Sequence, residues 1–262
     1  MEIIQTKNQS QQEIINRACK VLKSGGLVIY PTETTYGIGA DATNPEAIDK
    51  LLKYKSRRQG KPLSIAVANQ EMAKQYVKIN QEAVNIYRQF LPGPVTVISE
   101  SLGKVAPGVE SELNTLGVRI PDYPLILDLI NQFQKPITAS SANASYKKRP
   151  YNINDILTNL RENQLKLIDL IIDAGQLERN EPSTIIDTTA FEKATKSNTV
   201  TGAVLRQGSI KFNGSNSYRS QNQEQTDQIG QDLVAKYRHH LNENSIIFAL
   251  IGEMGSGKTA IS

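Results

Sequence analysis

The sequence of 262 residues lacks a second cysteine, a long apolar run and an apolar segment near its start. Its single cysteine, Cys19, cannot form a disulfide within the chain, which favours a reducing compartment. No apolar run approaches the ~20 residues of a membrane helix. The start at Met1–Ser10 is polar and has no apolar core for secretion. We therefore expect a soluble, cytoplasmic protein that does not bind membranes.

Tryptophan is absent, aromatic residues make up 6% of the chain, and the formal net charge is only +4. The basic residues nevertheless cluster at Lys53–Lys61 and Lys147–Arg149. Such clusters are ordinarily solvated surface. Because both clusters lie beside turns, an anion site is the other interpretation.

Helical apolar patterns alternate with short β-rich runs, which predicts an α/β domain. The first helix begins with a capping box at Ser10 and Glu13 and ends at Gly25-Gly26. Further helices are predicted at Asn44–Tyr54, Gln70–Val77, Gln81–Phe90 and Asp122–Phe133. Strands are predicted at Leu27–Tyr30, Val95–Ser99, Gly117–Ile120, Ile137–Ala139, Ile168–Ile172, Thr184–Asp187 and Ala203–Arg206.

We assign residues 1–212 to this α/β domain. The segment 213–223 is rich in Asn, Ser, Gln and Gly, and this composition is typical of a linker. A helix at Glu224–His240 and an apolar strand at Ile246–Ile251 then begin another unit, which we assign to residues 224–262.

Three short segments carry hydroxyl, amide or cationic side chains. Residues 30–39 and 138–143 each follow a strand, and residues 55–63 follow a helix. Taken alone, they are explained by a turn, a helix cap and charges that complement a helix dipole. Hydroxyls, free N–H groups and an Arg–Lys pair are also suited to a polar, phosphate-bearing ligand.

Seven motifs, in order along the chain, resemble one family. They are Tyr30–Ala42, Lys55-x-Arg57 with Pro62-Leu63, Pro92–Thr96, Val118–Pro121, Ser141-Ala142-Asn143, Pro182–Thr184 and Leu205–Gly208. Together they resemble the YrdC-like threonylcarbamoyl-AMP synthases across nearly all of residues 1–212. The resemblance implies an α/β fold with a twisted mixed sheet, surrounding helices and a large concave basic cavity.

The resemblance also implies a reaction that joins ATP, L-threonine and bicarbonate, for the N6-threonylcarbamoyladenosine modification of tRNA position 37. Threonine and bicarbonate form a carbamate, the carbamate attacks the α-phosphorus of ATP, and pyrophosphate leaves. Positioning and cations should matter most in this reaction, and the two histidines, His239 and His240, lie outside the domain. Mg²⁺ is expected on the triphosphate, with no metal site made of protein ligands. The implied partners are tRNA and the downstream proteins that transfer the threonylcarbamoyl group.

Roles follow from the resemblance motif by motif. The catalytic, phosphate-binding set is Lys55, Arg57, Ser141 and Asn143. Further contacts with ATP are implied for Lys61, Thr115, Arg149 and Arg206. The threonine site is implied to comprise Thr34, Arg119, Ala139 and Ser183, with Arg119 suited to the amino-acid carboxylate. The sequence departs from the family pattern at Arg58, Ser140 and Ala66.

A phosphate-binding loop, G-x-x-x-x-G-K-[ST], follows the apolar strand of the second unit. Its defining residues are Gly252, Gly257, Lys258 and Thr259. The segment resembles the opening of the TsaE/YjeE ATPases, which implies a synthase fused to an incomplete P-loop ATPase unit. Because the Walker-B carboxylate is missing, we expect no ATP hydrolysis by this segment.

Two other functions stay open at this point. An RNA-binding protein of the YrdC/YciO type, without synthase activity, would use basic residues for backbone phosphates, although interleaved aromatics for base stacking are lacking. The second alternative is a P-loop ATPase with an accessory N-terminal domain. Pyrophosphate release that depends on threonine distinguishes the synthase from both.

Overall fold

The chain divides into two units, Met1–Asn213 and Gly214–Ser262. The computed structural model describes residues 1–56, 62–143, 147–189, 203–208, 210 and 223–237. In the second unit these ranges include one helix, at residues 223–237. The strand predicted at 246–251 and the loop residues Gly252, Gly257, Lys258 and Thr259 lie outside the described residues. Their assignment to an ATPase therefore stays a prediction.

The strands of the first unit are short. They are β1 (Glu2–Gln5), β2 (Val28–Tyr30), β3 (Gly37–Gly39), β4 (Ser64–Ala66), β5 (Val77–Lys78), β6 (Val95–Ser101), β7 (Thr115–Arg119), β8 (Ile137–Thr138), β9 (Ser140–Ser141), β10 (Leu170–Asp173), β11 (Thr184–Asp187) and β12 (Ala203–Arg206). The helices are α1 (Gln11–Lys23), α2 (Pro45–Lys55), α3 (Gln70–Ala73), α4 (Gln81–Phe90), α5 (Pro124–Phe133), α6 (Ile153–Leu157), α7 (Glu162–Leu165) and, in the second unit, α8 (Gln223–Tyr237).

Two mixed sheets organise the first unit. One has five strands in the order β1-β10-β2-β3-β9, of which β1, β10 and β2 are parallel. The other follows the order β12-β11-β6-β7-β4-β8, and β5 pairs with β6 beside this path. The second sheet combines parallel pairs, such as β11 with β6, and antiparallel pairs, such as β6 with β7. The predicted mixed α/β fold is confirmed.

The chain changes from one sheet to the other at Ala139, between β8 and β9. On one side, the Thr138 hydroxyl accepts from the Ala40 N–H at 3.0 Å and donates to the Ile38 carbonyl at 3.1 Å. On the other side, the Ala139 N–H donates to the Ser64 carbonyl at 2.7 Å. This crossing therefore ties β3 and β4 together, although they belong to different sheets.

Local sequence explains how the first helices begin and end. The Ser10 side chain accepts from the Glu13 N–H, and the Glu13 carboxylate accepts from the Ser10 N–H. The Asn44 side chain caps α2, which has Pro45 at its first position. Burying the apolar face of α1 against α5, β2 and β10 then supplies most of the stability of that helix. Among the helices of the described ranges, none is both long and apolar enough to cross a bilayer.

The predicted capping box is confirmed, and so are the helix at Gln81–Phe90 and the strand at Thr184–Asp187. The helix predicted at 70–77 is wrong at its end, because it stops at Ala73. Val77 is instead buried in β5 and pairs with Ser101 of β6, so tertiary pairing overrides the local pattern.

The sequence pattern also misses β1, β3, β4 and β9, which are two to four residues long. In β3, glycine is required by packing rather than by a turn. A Cβ atom at Gly37 would lie 2.9 Å from the ring of Tyr30, which pairs with Gly37 across β2 and β3. Such a strand carries no apolar alternation from which it could be predicted.

Gly208 follows β12 and lies against the start of β11, where its N–H donates to the Thr184 hydroxyl at 2.9 Å. A Cβ atom at position 208 would lie 2.0 Å from the Pro182 carbonyl oxygen. We therefore expect Gly208→Ala to lower the free energy of unfolding, measured by urea denaturation, by about 1–3 kcal/mol through overpacking.

The matched control is Gly103→Asn. Gly103 has a φ of 66° with no atom within 4 Å of a Cβ position, and asparagine tolerates this left-handed region. The control should change stability by less than about 1 kcal/mol. Equal stability of the two variants would contradict the close backbone approach at Gly208.

Candidate functional site

A cavity of about 340 Å³ lies where loops and strand ends of both sheets meet. Its lining is rich in hydroxyls and cations: Thr34, Thr35, Lys55, Ser64, Thr96, Arg119, Ser140, Ser141, Asn143, Arg149, Ser183 and Arg206, with Pro62, Leu63, Ala139, Pro182 and Ile185. None of these described lining residues is acidic. A small polar ligand that carries negative charge fits this composition.

Lys55 is the last residue of α2 and is buried. Its ammonium group donates to the carbonyl oxygens of Ser141, at 2.7 Å, and Asn143, at 2.6 Å. The Ser141 hydroxyl donates to the Asn143 side-chain oxygen at 2.5 Å, and the Asn143 amide donates to the Lys147 carbonyl at 2.5 Å. Lys55 therefore fixes the backbone of the loop that follows β9 and places a positive charge beside it.

Arg119 ends β7 and contacts the loop after β2. Its Nη2 donates to Glu33 Oε1 at 2.7 Å and to the Thr34 hydroxyl at 2.9 Å. The Thr32 hydroxyl donates to the Thr35 carbonyl at 2.7 Å and lies 3.0 Å from the Thr34 hydroxyl. The Thr34 hydroxyl therefore accepts from Arg119 and keeps its second lone pair for a ligand.

Ser183 lies just before β11 and is buried. Arg206 donates to the Ser183 carbonyl from Nε at 3.0 Å and from Nη2 at 2.8 Å, and Nη2 also lies 2.9 Å from the Ser183 hydroxyl. Thr96 of β6 lies 3.0 Å from the same hydroxyl. These contacts join the ends of β11 and β12 to β6 in one arrangement at the cavity wall.

Three arginines among the described residues line the cavity. The Arg206 side chain keeps part of its surface exposed, yet partial burial of its guanidinium lowers the pKa of Arg206 to about 10, with further lowering by Arg149 and Arg119. The group stays protonated at neutral pH. The mutual repulsion of the three positive charges would be relieved by a bound anion.

A smaller recess of about 30 Å³ adjoins the cavity and shares Thr34, Arg119 and Ser141 with it. Its other walls include Tyr30 and Ala66. Burial raises the pKa of the Tyr30 hydroxyl well above its usual value, and this hydroxyl donates to the Thr138 carbonyl at 2.9 Å. Tyr30 is therefore a neutral wall of the recess at all ordinary pH values.

Most of the predicted site residues that the structure describes line the one cavity: Thr34, Lys55, Arg119, Ala139, Ser141, Asn143, Arg149, Ser183 and Arg206. Thr115 is not among the lining residues. It begins β7, four residues before Arg119, and lies 2.8 Å from the Ser111 hydroxyl. Arg57 and Lys61 lie outside the described residues.

Sequence reasoning assigned no role to Glu33, Thr35 or Thr96, although all three lie within motifs that indicated the site. A motif shows that a segment is special, whereas the partner of each side chain comes from the fold. The structure supplies these partners: Glu33 binds Arg119, and Thr96 contacts Ser183.

Within the described residues, no group of three or more His, Cys, Asp or Glu side chains could hold a metal ion. A hard cation such as Mg²⁺ prefers oxygen ligands, and the lining described here offers hydroxyls and carbonyls but no carboxylate. Such a cation would therefore have to enter with oxygen ligands of its own.

The fold and the cavity define a mixed α/β protein whose described cavity lining combines hydroxyls with cations. Residues 20–208 match the model of the Sua5/YciO/YrdC family, which carries the description "Telomere recombination". The chain belongs to this family, as its motifs predicted. The resemblance of residues 224–262 to P-loop ATPases is not tested by this match.

Similar proteins come from archaea and bacteria. A protein of Methanocaldococcus jannaschii is 35% identical over 188 residues, which are 71% of this chain and 86% of that protein. A Vibrio campbellii protein named threonylcarbamoyl-AMP synthase is 32% identical over 193 residues, covering 72% of this chain and 96% of that protein.

Solved structures of Sua5 from P. abyssi are similar in fold. Two of them match with TM-scores of 0.70 and 0.66, each at 31% sequence identity, and the second is a complex with L-threonine. The matches cover 79% and 73% of this chain, which spans 60% and 55% of those two chains.

Inorganic tripolyphosphate tests the electrostatics of the cavity. We expect it to raise the midpoint of thermal unfolding, because an anion relieves the repulsion among Arg119, Arg149 and Arg206. Arg206→Met should weaken this binding about tenfold, which corresponds to one charge-assisted contact.

The control is Arg17→Met. Arg17 is an exposed arginine that pairs with Glu2 at 2.5 Å and does not line the cavity. This variant should bind tripolyphosphate like the unmodified protein. If Arg17→Met weakens binding as much as Arg206→Met, the ion binds the surface and not the cavity.

Proposed function

We propose that this protein is a threonylcarbamoyl-AMP synthase, which forms threonylcarbamoyl-AMP and pyrophosphate from L-threonine, bicarbonate and ATP. The observation that carries the proposal is that one cavity combines Arg119, Thr34 and Ser183 with Lys55 and the loop 141–143. The first three residues are suited to an amino acid, and Lys55 with the loop 141–143 is suited to phosphates. The similarity to a named synthase over 96% of its length supports the same conclusion.

The amino acid would lie beside Arg119. Arginine is suited to a carboxylate, while the Thr34 hydroxyl has an acceptor lone pair for an N–H or O–H group of the ligand. Ser183 and the backbone at Ala139 form the adjoining walls. The P. abyssi complex with L-threonine, at 31% identity, supports an amino-acid site in this fold.

The nucleotide would lie across the cationic part of the cavity. Lys55, Ser141 and Asn143 are connected by hydrogen bonds and would bind phosphate oxygens. Arg149 and Arg206 would bind more of the nucleotide. Arg57 and Lys61 are proposed for the same role from sequence alone, as is Thr115. Magnesium would accompany the triphosphate, whose oxygens supply the ligands that the described lining lacks.

The chemistry requires two bond-forming steps. The threonine nitrogen attacks the bicarbonate carbon and water leaves, which gives a carbamate. A carbamate oxygen then attacks the α-phosphorus, and pyrophosphate carries away the electron pair of the bond that breaks. Because both steps concentrate negative charge, the cations and the positioning of the reactants supply the catalysis.

The product would serve the threonylcarbamoyl modification of tRNA position 37, with tRNA and transfer proteins as downstream partners in the cytoplasm. The proposal for residues 224–262 remains the opening of a TsaE/YjeE-like P-loop unit fused to the synthase. It is supported by the loop sequence at Gly252–Thr259 and by the apolar run before it.

Pyrophosphate release from MgATP tests the proposed function. The full chain should release pyrophosphate only when L-threonine and bicarbonate are both present, and chromatography should resolve a threonylcarbamoyl-AMP product. ATP binding without this product would contradict the synthase, and RNA binding in place of turnover would favour the RNA-binding alternative.

Lys55→Ala links this activity to the cavity. The variant removes a charge beside the phosphates and releases the loop at Ser141, so turnover should fall at least a hundredfold, equivalent to about two charge-assisted hydrogen bonds. Lys53→Ala is the control, because Lys53 is an exposed cation on the same helix. Near-normal turnover in a folded Lys55→Ala protein would remove Lys55 from the mechanism.

A further inference from the structure

Glu33 is not among the described lining residues of the cavity or of the smaller recess, although it contacts Arg119, which lines both. Its carboxylate pairs with Arg119 at 2.7 Å, and the two side chains are only 18% and 12% exposed, respectively. The Glu33 backbone is held as well, because its carbonyl accepts from the Asn180 side chain at 2.9 Å. Glu33 therefore touches the residue that faces the ligand, but has no place in the cavity wall itself.

The geometry of this pair is poor for stability alone. The contact is a single hydrogen bond, although arginine and a carboxylate can form two parallel ones. Glu33 Oε2 and Arg119 Nε are both buried, and neither has a hydrogen-bond partner within the described residues. Buried polar atoms without partners cost free energy. The pair is thus retained in an arrangement that is not optimal for folding.

The same contact is well suited to orienting Arg119. One nitrogen, Nη2, donates to both Glu33 and Thr34, so both of its hydrogens are engaged. Because Nε is buried, the donors that face a ligand must then come from Nη1. Anchoring at one nitrogen also removes rotamer freedom that an arginine would otherwise lose when the ligand binds.

Charge gives a second reason for an acid at this place. Arg119 shares the cavity with Arg149, Arg206 and Lys55, and no described lining residue is acidic. Within the described residues, Glu33 is the carboxylate that pairs with Arg119, and it is not among the lining residues. It can hold Arg119 against the repulsion of the other cations without occupying space that substrates need.

We propose that Glu33 is a positioning residue that orients Arg119 for the carboxylate of the amino-acid substrate. This inference rests on the proposed function, in which Arg119 binds threonine. It separates Glu33 from the catalytic residues, since Glu33 is not among the described lining residues and would act through Arg119.

The test is steady-state kinetics of the full chain with Glu33→Ala and Glu33→Gln. In Glu33→Ala, the KM for L-threonine should rise about tenfold or more, while the KM for ATP stays within about twofold. Glu33→Gln keeps an oxygen acceptor for Nη2 and should restore the KM for threonine to within about threefold of the unmodified value. Titration calorimetry with L-threonine should show the same order of affinities.

Glu71→Gln is the matched control, because Glu71 forms an exposed ion pair with Lys74 at 2.6 Å away from the cavity lining. Its two KM values should not change. An unchanged KM for threonine in Glu33→Ala overturns the proposal, as does an equal rise of both KM values. If Glu33→Ala does not fold, Glu33→Gln decides the question. A rise of tenfold or more in the KM for threonine, or a rise of both KM values, then overturns the proposal. Absence of product with the unmodified protein would instead reject the synthase function.

Discussion

The crossing of the chain between its two sheets at Ala139 is the constraint on which the rest of the site depends. Thr138 is bound to β3 through its hydroxyl, and Ala139 is bound to β4 through its N–H group. Ser140 and Ser141 then pair with β3 in the other sheet. Because the crossing is held from both sides, the loop after β2 faces the ends of β7 and β11, and residues distant in sequence share one cavity.

Electrostatics distinguishes this cavity from an ordinary polar cleft. Its described walls hold four cations, and the acid that contacts one of them, Glu33, is not among the described lining residues. Such a site attracts anions and stabilises charge that develops on them. In the proposed reaction the reacting atoms belong to the substrates, so we expect the cations and the positioning of the reactants to contribute most of the catalysis.

The longer helices and strands, and most residues of the cavity lining, could be predicted from the sequence. Helix α1 has a complete capping box, and α4 has a strong apolar face, so both could be predicted. Strands β3 and β9 could not, because they are defined by backbone pairing: Gly37 pairs with Tyr30 on one side and with Ser141 on the other. The contacts of Glu33 and Thr96 could not be predicted from the sequence either, since each involves a partner more than eighty residues away. Thr115, by contrast, was assigned to the nucleotide by resemblance but lies apart from the described cavity lining.

The most direct test of the central claim is a crystal structure of the full chain with L-threonine and a non-hydrolysable ATP analogue. We predict that the threonine carboxylate lies within hydrogen-bond distance of Arg119, and that the phosphates contact Lys55, Ser141 or Asn143. Both ligands should occupy the one cavity, with the threonine nitrogen on the side of the α-phosphate. Threonine bound elsewhere, or phosphates bound away from Lys55, would contradict the proposed site.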